Sequence, residues 1–134
     1  MRWDAVVEAV LDELQQNADV LALTQGTPIT RDASEVEYDR DQVRYSVLTN
    51  FTGETWETVV LTLVLISDRR NFARLVEAER AIRRLFDADL PVRYGGLWLH
   101  STLLGARDIP GAGDRVAGRS LDIRLEVVRT RYTA

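Results

Sequence analysis

The 134-residue sequence contains no cysteine. Disulfides, thiolate nucleophiles and Cys-ligated metals are therefore excluded. Nothing in the chain asks for an oxidising compartment, so the cytoplasm is the expected place of synthesis. Lysine is absent as well: all 17 basic residues are arginine. A GC-rich coding sequence gives that pattern. Arginine also suits protein contacts, because it is weakly hydrated and pairs bidentately with carboxylates. Histidine occurs once, at His100, which excludes a multi-histidine metal site. No apolar run approaches the ~20 residues that span a bilayer. The longest, Val59 to Ile66, is interrupted by Thr62. The opening Met1-Arg2-Trp3-Asp4 runs straight into an amphipathic pattern and does not have the form of a signal peptide. Basic charge is not in excess either. The net charge is −4 and the pI about 5.0, the opposite balance from that of a nucleic-acid binder.

What is present is an ordinary globular composition, 46% hydrophobic. A chain of this length is expected to form one domain over 1–134, without repeats or linkers. Trp3, Val6, Val7, Val10, Leu11 and Leu14 recur at helical spacing and predict a helix over 3–16. Asn17 breaks it, Ala18–Leu23 adds a further turn, and Gly26 is the stop signal. A short strand is expected near Ile29. Asp32 to Asp41 holds five acids and one arginine and reads as a mobile acidic loop. Gln42–Thr49 alternates as a strand, and Asn50 to Gly53 reads as a turn.

Trp56–Ser67 carries the strongest strand pattern. One face holds Val59, Leu61, Leu63 and Leu65 and should pack on helices. The other holds Trp56, Thr58, Val60, Thr62, Val64 and Ile66, and is too apolar for a solvated face. Ser67 or Asp68 caps a second helix running to about Phe86, with Phe72, Leu75, Val76, Ile82, Leu85 and Phe86 as its buried stripe. Residues 92–104 read as a hairpin around Gly95-Gly96, 108–118 as a Gly-rich loop, and 119–131 as a closing strand. The expected fold is α+β, a mainly antiparallel four- to five-stranded sheet with two helices packed on one face.

Chemistry has little to work with. His100 sits beside Trp98 among leucines, with no serine elbow to serve as general base for. Gly111-Ala112-Gly113 lacks both the Gly-Lys-[Ser/Thr] ending of a phosphate loop and the helix that should follow. Glu54 and Glu57 flank Trp56 as glycosidase carboxylates do, yet a spacing of three places them on opposite faces of a strand. Arg69-Arg70 and Arg83-Arg84 are the only basic doublets of the interior, and helical neighbours such as Glu79 are placed to pair with them. No catalytic, cofactor or metal residue is assigned, and the chain is expected not to be an enzyme. The candidate subunit-interface residues are Trp56, Thr58, Val60, Thr62, Arg70 and Arg74. The candidate partner-binding loop residues are Asp32, Glu35, Glu37, Asp39, Asp41, Asp114 and Arg115.

Four segments in this order carry a family pattern. They are the helix from Trp3 to Leu11, the strand from Gly53 to Leu63, the helix from Ala73 to Ile82, and the loop and strand from Gly113 to Leu125. Over nearly its whole length the chain resembles the tail terminator (tail-completion, or head–tail joining) proteins of long-tailed bacteriophages. It departs from them in having an acidic, Pro-free stretch at Asp32 to Asp41 where a Pro-rich one is expected. The resemblance implies a virion structural subunit that forms a homo-hexameric ring at the head-proximal end of the tail. It implies as partners the tail tube protein and the head–tail connector protein, with DNA only passing through the lumen, and host cytoplasm as the place of assembly. Alternatives are another connector or neck subunit, or a monomeric small-ligand or nucleic-acid-binding module.

Overall fold

The computed structural model describes residues 3–32, 41–49, 58–86, 90–91, 98–109 and 116–128. Helix α1 spans Trp3–Gln16 and helix α2 Ala18–Thr24. Between them Asn17 accepts hydrogen bonds from the Asp19 and Val20 amides at 3.0 and 3.3 Å. Asn17 is thus the N-cap of a separate helix. Helix α2 ends on Gln25, which takes the left-handed conformation (φ 53°) and returns its amide to the Leu21 carbonyl. The stop therefore falls one residue before Gly26, which also has positive φ.

Six strands follow: β1 Thr30–Arg31, β2 Gln42–Thr49, β3 Thr58–Asp68, β4 Leu90–Pro91, β5 Trp98–Asp108 and β6 Val116–Val128. A 3-10 turn, Arg69–Asn71, leads from β3 into helix α3, Phe72–Phe86. The sheet order is β1-β2-β3-β6-β5-β4. Every pairing is antiparallel except β1 with β2, which is parallel. The fold is α+β as expected, but the sheet is mixed, has six strands and carries three helices. β1 is the short strand expected near Ile29, while β4 is two residues long, too short to leave a pattern of period two. Pro91 lies in β4 at the sheet's edge, where a missing N–H costs no ladder bond.

All three helices cover one face of the sheet. Val6, Val10 and Leu14 of α1, Val20 and Leu23 of α2, and Leu75, Ala78, Ile82 and Phe86 of α3 form one cluster with Val59, Leu61, Leu63 and Leu65 of β3 and Leu121, Ile123 and Leu125 of β6. The two central strands supply the floor because their alternate residues all point to this face. Each fully buried leucine contributes about 1.5–3 kcal/mol. Phe72, expected in the buried stripe, is 49% exposed. It is the first residue of α3, carried past the end of β3 by the 3-10 turn, so little of the sheet lies beneath it. The expected loop at 108–118 is shorter: β5 runs to Asp108 and β6 starts at Val116. The turn at 50–53, the Gly95-Gly96 turn and residues 129–131 of the closing strand lie outside the described residues.

Candidate functional site

The helix-free face of the sheet is built by the register. Gln42, Arg44, Ser46 and Leu48 of β2 stand opposite Ile66, Val64, Thr62 and Val60 of β3. Those in turn face Gly118, Ser120, Asp122 and Arg124 of β6. Residues directly opposite share a face, so this second surface is as regular as the core face.

It is divided into two halves. Toward the start of β2, Gln42, Arg44, Val64, Ile66 and Ser120 are buried. Ile109 folds back over β6 here: its amide donates to the Gly118 carbonyl at 3.0 Å. A Cβ on Gly118 would lie 3.2 Å from the Ile109 side chain, so glycine allows this close approach. Arg44 is the largest side chain buried in this half. Its side chain is 2% exposed, its Nε donates to Gln42 Oε1 at 2.8 Å, and its Nη1 pairs with Asp32 at 3.4 Å. Val64 and Ile66 belong to the strand face whose apolar character calls for cover by a second layer or by another subunit. Both are buried, and Ile109 lines the same groove as Val64.

The other half is open. Thr58, Val60 and Thr62 are half-buried, and Leu48 is 68% exposed beside Val60. Thr62 donates its hydroxyl to Asp122 Oδ1 at 2.7 Å. Arg124 Nε lies 2.9 Å from Glu126 Oε1, with its N–H not aimed at the carboxylate. An apolar centre at Leu48 and Val60 is therefore bordered by polar groups engaged with one another, the composition of a protein contact surface. At the boundary between the halves is a groove of about 380 Å³ lined by Asp32, Ser46, Thr62, Val64, Arg107, Ile109 and Ser120. Its lining is mostly polar, unlike the mainly apolar walls of small-ligand sites. A second cleft, of about 140 Å³, lies between α3 and the sheet at Ile82, Phe86, Leu103 and Ile123, and is smaller than such sites require.

The structure places the sequence-derived candidates in three separate locations. Thr58, Val60 and Thr62 lie together on the open half-face. Arg70 and Arg74 are exposed in the 3-10 turn and α3, on the helical layer opposite. Arg70 pairs with Asp68 at 3.2 Å, and that carboxylate's hydrogen bond and charge hold its guanidinium pKa above the usual value. Asp32 and Asp41, expected to meet a partner, are both used within the fold. Asp32 pairs with Arg44, while Asp41 accepts from the Asp68 amide at 2.6 Å and from the Asn71 side chain at 3.0 Å. Trp56, Glu35, Glu37, Asp39, Asp114 and Arg115 lie outside the described residues, as do Glu54, Glu57 and Gly111–Gly113. Sequence reasoning missed Arg44 and Leu48. Arg44 sits at an alternate position that reads as solvated, and its partners Gln42 and Asp32 are found only in the fold.

His100 is exposed on the second face, in register with Glu126. Among the described residues no three His, Asp or Glu side chains come together as a metal site. No helix among them is long and apolar enough to cross a membrane.

No protein-family model and no curated protein matches the chain. Among solved structures, the chain is similar to a chain of the assembly described as "Virion of native gene transfer agent (GTA) particle". The TM-score is 0.53 at 22% identity, over 92% of this chain and 97% of that one. The two share a fold. That likeness spans nearly the full length of both chains, so it concerns the whole arrangement of helices and sheet and not a common fragment.

Proposed function

We propose that the chain is a structural subunit of a phage-like virion, of the tail terminator type. It assembles as a homo-hexameric ring at the head-proximal end of the tail tube, stops the tube's polymerisation and joins it to the head's connector. Its work is binding, not catalysis. DNA passes through the lumen without being held, for which a net charge of −4 is suited.

The observation that carries this is the whole-chain fold likeness to a chain of the gene transfer agent virion. The sheet supports it independently. The open half-face, with Leu48 68% exposed beside half-buried Val60 and Thr62, has the composition of a contact surface, and it lies opposite the arginine-bearing helical layer. Two unlike surfaces on opposite layers suit the head-to-tail contacts of a ring.

Native mass spectrometry across a concentration series, with negative-stain images of the large species, tests it. The expected result is a closed oligomer, six subunits around a central hole, that shortens tail tubes when added to polymerising tube protein. A ring that binds tubes without affecting their length belongs on the connector side of the joint. A chain that stays monomeric at every concentration, and does not bind tubes, is not such a subunit.

A further inference from the structure

The helical layer is electrically divided. Helices α1 and α2 carry five acids, Asp4, Glu8, Asp12, Glu13 and Asp19, and no arginine. The 3-10 turn and α3 carry six arginines against only Glu77 and Glu79. α2 packs against both α1 and α3, so the two charged helices belong to one continuous layer.

Glu8 and Asp12 are exposed on α1, Arg74 and Arg84 on α3, and none of the four makes an ion pair among the described residues. Some of this charge also opposes its own helix. Arg74 stands in the first turn of α3, which contains no acid, and Glu13 in the last turn of α1, which contains no base. The macrodipole favours the reverse placement at both ends. Arg84, in the last turn of α3, is favoured by the dipole; Glu8, Asp12 and Arg74 gain neither an ion pair among the described residues nor a favourable helix end, and a partner of opposite charge would use them.

We infer that the acidic outer face of α1 in one copy docks on the Arg74–Arg84 face of α3 in the next copy. The contact joins unlike surfaces and is therefore head-to-tail, the kind that closes rings. A nucleic acid would account for the arginines and leave the acids of α1 unexplained; a second copy of the chain accounts for both. The inference rests on the self-assembly proposed above and names a surface for it that is distinct from the sheet's open half-face.

Two full-length double variants test it: Glu8→Arg with Asp12→Arg, and Arg74→Glu with Arg84→Glu. All four positions are exposed, and circular dichroism with thermal melting checks that each variant folds. Association is read by analytical ultracentrifugation at about 0.05 M and about 0.5 M salt, where screening differs strongly. Wild type is expected to associate more weakly at high salt. Each variant alone now meets itself with like charges and is expected to weaken association by roughly tenfold or more. An equimolar mixture is expected to recover assembly, because each reversed face then finds its complement on the other variant. If wild type assembles and both variants assemble equally well alone, the helical contact is wrong while the ring stands. If the variants fail and mixing restores nothing, the specific pairing of α1 with α3 is wrong. A wild-type chain that is monomeric throughout overturns the contact and the ring together.

Discussion

Arg119 of β6 donates from Nε to Glu79 Oε1 of α3 at 2.7 Å and so fastens the helical layer to the sheet. Arg119 also pairs with Asp108 on β5 at 3.1 Å, and Glu79 accepts from Arg83 at 3.2 Å. The cluster spans three elements and lies at the margin of the core, where Glu79 is 15% and Arg119 24% exposed. Burial alone would raise the Glu79 pKa. The hydrogen bond and charge of Arg119, with a lesser contribution from Arg83, outweigh burial and hold it below the usual carboxylate value. Arg119 is shifted upward by the same bond, against its own desolvation and with help from Asp108.

A depressed carboxylate pKa makes stability depend on pH in one direction. The contribution of Glu79 is fully present above its unfolded pKa of about 4.3 and is lost as pH falls through the lower folded value. Glu79→Gln is expected to cost roughly 1–2 kcal/mol at neutral pH, below the upper range for charge-assisted bonds because the pair is partly solvated. Urea unfolding at pH 7 and at about pH 3 checks it, since the wild-type advantage over the variant must shrink at the lower pH. An advantage that is the same at both would mean that the carboxylate is not what Arg119 holds.

Arg44 behaves as a core residue on a sheet face that looks polar in sequence. Arg44→Ala removes a 2%-exposed side chain and leaves Asp32 without that partner. The expected cost is roughly 3–4 kcal/mol, from the space vacated and the broken polar contacts. Arg44→Met keeps most of the volume and is expected to cost less than half as much. Thermal melting orders the two, and equal losses would show that charge matters there and packing does not.

Leu63 lies at the middle of β3, fully buried between helices and sheet. Leu63→Ala is expected to destabilise the fold by about 2–5 kcal/mol. Denaturant unfolding gives the value directly. A loss below about 1 kcal/mol would place the centre of the core elsewhere.

Thr62→Arg adds a long cation to the open half-face without disturbing the core. Asp122, which now accepts the Thr62 hydroxyl, is in position to receive the guanidinium, so the subunit should fold normally. Assembly through that face should be blocked, which sedimentation of the purified variant reads. Normal assembly would remove the open half-face from the contact surfaces and leave the helical layer as the remaining candidate.

Thr62 and Arg44 lie on the same face of adjacent strands, and their different surroundings show what the sequence held and what it did not. Local chemistry determined the main elements: helical spacing in α1 and α3, strict alternation in β2 and β6, and the wholly apolar Val59, Leu61, Leu63, Leu65 face of β3. These are properties of residues a few positions apart, which the periods of 3.6 and 2 record directly. The thin inventory of reactive groups is likewise a property of the residues themselves. The tertiary structure alone decided that β6, last in the chain, lies between β3 and β5. It decided that β1 pairs in parallel, that Ile109 packs against Gly118, and that Arg119 reaches Glu79 across forty positions. Each of these joins segments far apart in the chain, and a pairing between distant segments is set by which faces can be buried together, a quantity that no local pattern contains.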